Sequence, residues 1–280
     1  MSTIMDGESL SLKIQEEMKQ QLKSCMIRPS VAVIQVGDDP ASNSYIKRKE
    51  KACNSVGVYF RHYKFDDDTP ELTIINKIKE LNNDDYVNGI LVQLPLPERY
   101  NEKRIANSIS NSKDVDGLTD INTGRMINGR KTLVPCTPLG VMRMLEEYEI
   151  SLEGKHVVIV GRGKLVGRPL STLMLAKDAT VTVCHSKTTN LKEITKQADI
   201  LVAAVGSPKM ITEDMVKEGA VVIDVGVNRV DGKLCGDVDF DKVSKKASFI
   251  TPVPKGVGPM TVAMLLENII TCYNNKPVAK

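Results

Sequence analysis

The sequence has no tryptophan, few other aromatic residues and no large excess of one charge, and each shortage excludes a class of function. With 4% aromatic residues and a net charge of +3, it lacks the basic, base-stacking surface of a nucleic-acid-binding protein. No uncharged stretch approaches the roughly 20 residues of a membrane-spanning helix. The N-terminus carries no basic flank followed by an apolar core, so no secretory signal is expected. We therefore expect a cytoplasmic protein that binds neither nucleic acid nor a membrane.

Closely spaced metal ligands are also missing. Six cysteines and three histidines are scattered along the 280 residues, and no C-x-x-C pair occurs. The nearest two cysteines, Cys25 and Cys53, are 28 residues apart. Because a local zinc or iron–sulfur site needs neighbouring ligands, we expect no metal centre. The cysteines are expected to be free thiols, as is usual in a reducing compartment.

What the sequence does contain is a regular alternation of short β-branched runs with amphipathic stretches. This alternation predicts an α/β fold, with parallel sheets covered by helices on both faces. The predicted strands are residues 31–36, 58–63, 89–94, 156–160, 180–184, 200–205 and 220–225. The predicted helices are residues 10–22, 42–56, 71–81, 138–148, 166–177 and 260–272.

The strands form two groups, separated by a polar, strand-poor stretch at residues 101–130. We expect residues 1–138 to form a first α/β domain and residues 139–260 to form a second, doubly wound one. The last helix has to pack somewhere, and we expect residues 261–280 to return to the first domain. Two connections would then cross the boundary, with a cleft between the domains.

A glycine-rich turn, GRGKLVG at residues 161–167, directly follows a predicted strand and precedes a helical pattern. Gly161, Gly163 and Gly167 fit G-x-G-x-x-x-G, one residue longer than the commonest dinucleotide fingerprint. The first glycine permits the tight turn, and the second lets a pyrophosphate approach the backbone at a helix N-terminus. We interpret the turn as the dinucleotide site of a Rossmann-type domain, with a purely structural turn as the alternative.

The residues after the next predicted strand favour NADP over NAD. NAD-binding proteins usually place a carboxylate there for the ribose hydroxyls, whereas this chain has His185, Ser186 and Lys187. Arg162 in the turn, with Ser186 and Lys187, would suit an additional 2′-phosphate. We therefore predict NADP as the cofactor, with NAD possible; the alternative is that these basic residues are simply solvated.

One lysine lies on the apolar face of its helix. The apolar side chains of the helix predicted at residues 42–56 fall in an arc of about 120°, with Lys49 near its middle. The arc comprises Tyr45, Ile46, Ala52, Cys53 and Val56. An apolar environment disfavours the ammonium, which makes a lysine useful as a base near neutral pH. Tyr45 is its i,i+4 neighbour. The alternative is a lysine that extends from the stripe's edge into solvent.

Two polar residues and one loop complete the candidate site. Gln93 ends a predicted strand, where ligands of doubly wound sheets bind, and the Asp116 carboxylate could accept N–H groups of a substrate. Each could instead be structural, Gln93 as a loop hydrogen-bonder and Asp116 as a turn former. Residues 251–260 contain three prolines and two glycines, which is typical of a loop that walls a ligand pocket or of a rigid connector.

These features occur together in one known family. PASNSYIKRKEKAC, GILVQLPLP, KDVDGL, PCTPLG, VGRGKLVGRP, CHSKT, VIDVGVNR and TPVPKGVGPMT stand in the order found in bifunctional methylenetetrahydrofolate dehydrogenase/methenyltetrahydrofolate cyclohydrolase. The chain resembles this family from about residue 30 to the last helix. The resemblance implies a homodimer of two-domain α/β chains, with folate bound between a catalytic domain and an NAD(P) domain. It also implies oxidation of 5,10-methylenetetrahydrofolate by NADP and hydrolysis of the methenyl cation to 10-formyltetrahydrofolate, in one-carbon metabolism.

The resemblance also assigns roles to individual residues. It implies that Lys49 is the catalytic lysine, with Tyr45 positioning the substrate, Gln93 modulating the lysine and Asp116 anchoring the pterin. The other substrate-site residues that it implies are Val92, Leu94, Pro254, Lys255, Gly256, Val257 and Gly258. Those implied for the cofactor are Gly161, Arg162, Gly163, Gly167, Ser186 and Val227, with Arg162 and Ser186 on the 2′-phosphate.

The chain departs from the family pattern at two positions. Gly163 stands where serine is usual, so one phosphate contact is expected to be missing and the NADP preference to be weaker. Lys255 replaces a usual glycine, and its long cation could meet the glutamate tail of the substrate or narrow the pocket.

Three other functions are alternatives to the one that the resemblance implies. Short-chain dehydrogenases share the Tyr-x-x-x-Lys pair of Tyr45 and Lys49, but there the pair follows the cofactor glycines, and here it precedes them by over 100 residues. A nucleotide-binding protein that keeps the fold without catalysis is disfavoured because four residues occur together: Tyr45, Lys49, Gln93 and Asp116. A dehydrogenase with little cyclohydrolase activity remains open on sequence alone.

Overall fold

A computed structural model describes residues 2–275, which separate into two compact units. The three-stranded unit comprises Leu12–Cys136 and the residues from Val262 onward. The six-stranded unit comprises the residues up to Ser11 and Thr137–Thr261. Each is built on a parallel sheet with helices, which confirms the predicted α/β class.

Strands and helices alternate along most of the chain. The strands are β1 (Thr3–Ile4), β2 (Ser30–Val36), β3 (Tyr59–Phe65), β4 (Gly89–Val92), β5 (His156–Val160), β6 (Thr180–Cys184), β7 (Ile200–Ala203), β8 (Val221–Asp224), β9 (Asn228–Val230), β10 (Lys233–Cys235) and β11 (Phe249–Ile250). The helices are α1 (Gly7–Leu22), α2 (Pro40–Val56), α3 (Glu71–Asn83), α4 (Glu102–Ala106), α5 (Asp120–Ile127), α6 (Cys136–Glu147), α7 (Gly167–Leu175), α8 (Leu191–Thr195), α9 (Phe240–Val243) and α10 (Val257–Asn274).

The sheet of the three-stranded unit has the order β3-β2-β4. Its middle strand, β2, is buried along its whole length, because it has a neighbour on each side and apolar residues on both faces. Ile34 of β2, Ile90 of β4 and Ile78 of α3 are completely buried in one cluster. The edge strand β3 consists of exposed and partly buried residues, as expected for an edge.

Helix α2, which carries Tyr45 and Lys49, has well-defined ends. The Asp39 carboxylate accepts a hydrogen bond from the Ser42 N–H at 2.7 Å, and Pro40 occupies the first turn, where a missing N–H costs nothing. Gly57 ends the helix with φ 91°, a conformation that favours glycine. Lys49 therefore lies in the middle of a capped helix rather than at a frayed end.

The sheet of the six-stranded unit has the order β1-β11-β8-β7-β5-β6, and all of its pairings are parallel. Strands β7 and β8 are buried throughout, the pattern of a parallel sheet covered on both faces. After β5 the chain adds β6 on one side and then crosses to β7 on the other. In doubly wound sheets, ligands bind beyond the carboxyl ends of the strands at this kind of reversal.

The first residues of the chain differ from the prediction. Residues 1–138 were expected in one domain, but the residues up to Ser11 belong to the six-stranded unit, because β1 pairs with β11. The chain therefore passes between the units at three points, after Ser11, Cys136 and Thr261, whereas the pattern predicts two. Of the predicted C-terminal segment 261–280, residues 276–280 lie outside the described residues.

The structure also bears on membrane-spanning helices and on the cysteines. Among the helices within residues 2–275, none combines the length and the apolar character that a membrane crossing requires. All six cysteines fall within this range, and all are free thiols.

Candidate functional site

Lys49 and Gln93 are in contact in the three-stranded unit. Gln93 directly follows β4, at the carboxyl edge of the sheet. The Lys49 Nζ donates a hydrogen bond to the Gln93 Oε1 at 3.0 Å, and the Gln93 Nε2 donates to the Leu94 carbonyl at 2.6 Å. Because the second bond needs an N–H, it fixes the orientation of the amide and turns its oxygen towards the lysine. The two polar residues that the sequence singled out are thus brought together.

Asp116 lies in the same unit, in a loop pinned by a second carboxylate. Asp114 is 1% exposed and accepts hydrogen bonds from the N–H groups of Leu118 at 3.2 Å and Thr119 at 2.9 Å. Burial raises the pKa of the Asp116 carboxyl, and the positive charge of Lys49 partly offsets this effect. The charges of Asp116 and Lys49 therefore interact.

The sequence reasoning missed two residues that hold the Asp116 loop. Asn268 of α10, which is 4% exposed, donates hydrogen bonds to the carbonyls of Val115 and Val134, both at 2.9 Å. The Cys136 thiol contacts the Val115 carbonyl at 3.4 Å and the Asp116 Oδ1 at 3.7 Å. An amide within the apolar run of the last helix is the sequence signal that could have found Asn268.

Tyr45 is not part of a buried stripe. Its side chain is 45% exposed, and the Arg48 guanidinium lies 5.9 Å from the centre of its ring. The buried residues of α2 span about 120° of the helical wheel, and Lys49, itself partly buried, lies near the middle of that arc. Tyr45 lies in the direction of this arc but is not covered, so the expectation of a Tyr45 buried with the apolar stripe is wrong, and its exposure leaves the phenol open to a ligand.

Val92 and Leu94 serve the packing of this unit. Val92 is 5% exposed in the core cluster, and Leu94 packs against the same cluster. Together with Asp116 they line a small recess. What Val92 can offer a substrate is therefore confined to the wall of this recess.

In the six-stranded unit, the turn after β5 has room for glycine alone at two positions. Gly161 has φ 125°, and a Cβ there would lie 2.2 Å from the Ala204 carbonyl oxygen. A Cβ on Gly167, the first residue of α7, would lie 2.0 Å from the Gly161 carbonyl oxygen. At Gly163, by contrast, nothing lies within 4 Å of the Cβ position, so a side chain fits there. The backbone of this turn is thus bare at the N-terminus of a helix, where a pyrophosphate can approach it.

The residues predicted for the 2′-phosphate are exposed around this turn. The Arg168 Nε donates a hydrogen bond to the Arg162 carbonyl at 3.1 Å, which fixes the backbone and leaves the Arg162 side chain exposed. Ser186 follows β6 and is exposed, and Val227 follows β8 and is 49% exposed. The bare glycine turn, the cation and the hydroxyl fit a dinucleotide with an additional phosphate.

The loop of residues 254–258 also belongs to the six-stranded unit. Pro254 and Gly258 are exposed, whereas Gly256 and Val257 are buried. Lys255 has φ 85°, and its ammonium pairs with the Glu8 carboxylate at 3.0 Å. This pair raises the pKa of Lys255. The predicted site residues thus fall into a lysine–amide–carboxylate group in one unit and a glycine turn with this loop in the other.

Two family models match the chain. Tetrahydrofolate dehydrogenase/cyclohydrolase, catalytic domain, matches residues 5–116. Tetrahydrofolate dehydrogenase/cyclohydrolase, NAD(P)-binding domain, matches residues 135–277. The first match contains the Lys49 group, and the second contains the glycine turn.

Individual relatives are similar over nearly the whole chain. The bifunctional protein FolD of Bacillus anthracis is 54% identical over 273 residues, 96% of each chain. The crystal structure of the bifunctional enzyme FolD, a methylenetetrahydrofolate dehydrogenase/cyclohydrolase, from Campylobacter jejuni is 50% identical with a TM-score of 0.96, covering 99% of this chain and 100% of that one. The Trypanosoma brucei enzyme, solved with NADP cofactor and inhibitor, is 35% identical with a TM-score of 0.93, covering 98% and 97%. The chain therefore belongs to the tetrahydrofolate dehydrogenase/cyclohydrolase family.

Proposed function

We propose that Lys49, oriented by Gln93, is the base of the cyclohydrolase step in a bifunctional enzyme. The enzyme oxidises 5,10-methylenetetrahydrofolate with NADP and hydrolyses the 5,10-methenyl product to 10-formyltetrahydrofolate. Asp116 and Tyr45 hold the folate. The observation that carries this assignment is the contact of 3.0 Å between the Lys49 Nζ and the Gln93 Oε1. The charge of Lys49 also acts on the pKa of the Asp116 carboxyl.

The dehydrogenase step needs alignment rather than a base. When bound, NADP supplies the nicotinamide that accepts a hydride from the methylene carbon. No proton is released, because the C–H electron pair leaves with the hydrogen and a methenyl cation remains. The residues of this chain therefore bind and orient: Asp116 accepts N–H groups of the pterin, and Arg162 and Ser186 hold the 2′-phosphate. Residues 254–258 remain predicted contributors to folate binding.

The cyclohydrolase step does need a base. The oxygen of water adds to the methenyl carbon, and one of its protons passes to the Lys49 amine. As the bond from this carbon to N5 breaks, N5 takes up that proton, the hydroxyl proton is released, and the carbonyl of the formyl group forms on N10. Gln93 orients the amine with an uncharged acceptor, so this contact itself adds no negative charge that would hold the proton on the amine.

The association state and cellular location are part of the same proposal. We propose a cytoplasmic homodimer, on the strength of the family resemblance. Sedimentation velocity at micromolar concentration should give a single species of twice the chain mass of 30.8 kDa. A single species of the chain mass contradicts the dimer and leaves the catalytic assignment intact.

A spectroscopic assay of the purified enzyme tests the function. With 5,10-methylenetetrahydrofolate and NADP, reduced NADP should appear without accumulation of methenyl absorbance. In Arg162→Ala, the KM for NADP should rise about 10-fold and that for NAD should stay within twofold, because only NADP carries the additional phosphate. Equal use of NAD and NADP by the wild type would contradict the cofactor assignment. A methenyl signal that rises in step with the reduced cofactor would contradict the role of Lys49.

A further inference from the structure

Two buried carboxylates of the six-stranded unit have no role in the proposed function. Asp237 is fully buried and Asp224 is 3% exposed. A buried carboxylate is unfavourable unless hydrogen bonds replace its water. The groups that supply these bonds therefore show what the two residues hold in place.

Asp237 gathers the backbone of one loop at the carboxyl edge of the sheet. Its Oδ2 accepts hydrogen bonds from the N–H groups of Val205 at 2.7 Å and Gly206 at 3.0 Å. Its Oδ1 accepts from the Ser207 N–H at 2.8 Å and from the Asn228 side-chain amide at 2.9 Å. One carboxylate thus connects the loop after β7 to the first residue of β9.

Asp224, the last residue of β8, holds Asp237 in turn. Its Oδ1 accepts a hydrogen bond from the Asp237 N–H at 3.0 Å, and its Oδ2 accepts from the Val238 N–H at 2.9 Å. Its own N–H donates to the Thr251 hydroxyl at 2.7 Å. The space is tight: a Cβ on Gly226 would lie 2.2 Å from the Asp237 Cγ.

The loop held by Asp237 packs directly against the glycine turn. The carbonyl oxygen of Ala204, the residue before Val205, is the atom that a Cβ on Gly161 would meet at 2.2 Å. The Ala204 N–H donates to the Val160 carbonyl at 2.8 Å, and Val160 precedes Gly161. Movement of the 205–207 loop would therefore change the turn against which the pyrophosphate is expected to bind.

We propose that Asp237 is a positioning residue for NADP: it fixes the loop 205–207 and Asn228 so that the glycine turn is preformed for the dinucleotide. Asp224 anchors Asp237 and acts one step further from the cofactor. The inference rests on the proposed placement of NADP at the Gly161–Gly167 turn. The buried Asp237 carboxylate thereby contributes to the affinity for NADP without contacting it.

Asp237→Asn is the direct test, because it keeps the shape and removes one acceptor oxygen. Whichever oxygen becomes an NH2, two N–H donors lose their acceptor and face a donor instead. We expect the Kd of NADP, measured by calorimetric titration, to rise at least 10-fold and the KM of NADP to follow. The cyclohydrolase kcat, measured with methenyltetrahydrofolate and no NADP, should stay within twofold.

Asp199→Asn is the matched control. Asp199 is another hydrogen-bonded carboxylate of the same unit, and it accepts from the His156 N–H at 3.0 Å and from Lys217 at 2.6 Å, at the amino end of the sheet. Its NADP Kd should stay within twofold of wild type. An equal rise in Asp199→Asn and Asp237→Asn would mean general destabilisation and overturn the inference, as would an unchanged Kd in Asp237→Asn.

A milder variant covers the case in which Asp237→Asn does not fold. Asn228→Ala removes only one of the groups that Asp237 holds, so its NADP Kd should rise about threefold with the cyclohydrolase kcat preserved. An unchanged Kd in this variant would then overturn the inference. If the wild type itself binds no NADP, or if Arg162→Ala binds it as wild type does, the proposed cofactor placement fails first.

Discussion

The candidate sites of the two units are built from different parts of the chain. In the three-stranded unit, side chains from separate elements meet: Lys49 of α2 contacts Gln93 after β4, and Asp116 sits in a loop held by Asn268 of α10. In the six-stranded unit, bare backbone forms the candidate pyrophosphate site, which glycines keep open, and the side chains of Arg162 and Ser186 lie exposed around it. A site formed by side chains loses its function when side-chain atoms are removed. A site formed by bare backbone loses its function when side-chain atoms are added. Because the two reactions depend differently on these sites, single substitutions should separate the activities.

The largest effect is expected from removal of the Lys49 amine. Lys49→Met keeps the length and the apolar stem of the side chain but removes the base and its bond to Gln93. Loss of a general base costs about 10²–10⁴-fold. We therefore expect the cyclohydrolase kcat to fall at least 10²-fold, and dehydrogenase activity, measured as initial rates of NADP reduction, to fall far less.

Lys47→Met is the matched control, because Lys47 is an exposed lysine two residues away on the same helix. Both of its activities should stay within twofold of wild type. If Lys49→Met reduces both activities equally, the lysine chiefly positions the substrate and is not the base.

The second effect comes from adding one carbon atom to the glycine turn. Gly161→Ala places a Cβ at 2.2 Å from a backbone oxygen at φ 125°, so the turn or the neighbouring loop must shift. The dehydrogenase kcat/KM for NADP should fall about 10²-fold, an expected loss of about 3 kcal/mol of transition-state binding. The cyclohydrolase kcat should persist. Gly163→Ala, at a position with open space, is the control and should change NADP binding less than threefold.

Elements with a long enough residue pattern are visible in the sequence, and shorter ones are not. Strands β5 and β6 match the predicted residues 156–160 and 180–184, because each is a short run in which four of five residues are β-branched. Strands β1 and β11 have two residues each, too few to show a period, and their pairing joins the two ends of the sequence. This is why the first residues were placed in the wrong unit.

The residues of the candidate site likewise divide into those that the sequence reveals and those that it does not. Gln93 and the glycine turn are visible because a strand end or a glycine spacing marks them. The proposed role of Asp237 is not visible in the sequence, because an aspartate beside a glycine is typical of a solvent-exposed turn. The backbone N–H groups that bind its carboxylate also lie about 30 residues earlier in the chain. Tyr45 was placed in a buried arc because a helical wheel gives directions and does not show which of them a neighbouring element covers.

A smaller effect should appear in the pH dependence of stability. Burial raises the pKa of Asp224 from 3.8 to about 6, although backbone N–H groups act in the opposite direction. Because the folded state then binds the proton more tightly than the unfolded state, this group stabilises the fold most below about pH 4. That contribution is lost as the pH rises through 6. Between pH 4 and 6.5, the free energy of unfolding of the wild type should therefore fall by about 2 kcal/mol relative to Asp224→Asn, measured by urea denaturation. A constant difference between the two proteins across this range contradicts the raised pKa.

The smallest effect is expected at Lys255, where the chain departs from its family in the loop 254–258. Its φ of 85° disfavours any residue with a Cβ, so Lys255→Gly relieves strain; it also loses an exposed ion pair with Glu8 and gains freedom in the unfolded chain. These effects on stability are small and opposed, so the free energy of unfolding of Lys255→Gly, measured by urea denaturation, should stay close to that of the wild type.

The same variant tests whether Lys255 meets the glutamate tail of the folate. Because the ammonium already pairs with Glu8 at 3.0 Å, we expect the KM values for folate substrates with one and with several glutamates to stay within twofold in Lys255→Gly. Glu8→Gln weakens that pairing and is the complementary variant: if the lysine can reach the tail, only the substrate with several glutamates should bind more tightly. A KM that rises at least fivefold for that substrate alone in Lys255→Gly would show that the lysine leaves Glu8 for the substrate. The loop 254–258 would then contribute a side chain to folate binding, and the contrast between a site of side chains in one unit and a site of bare backbone in the other would no longer hold at this loop.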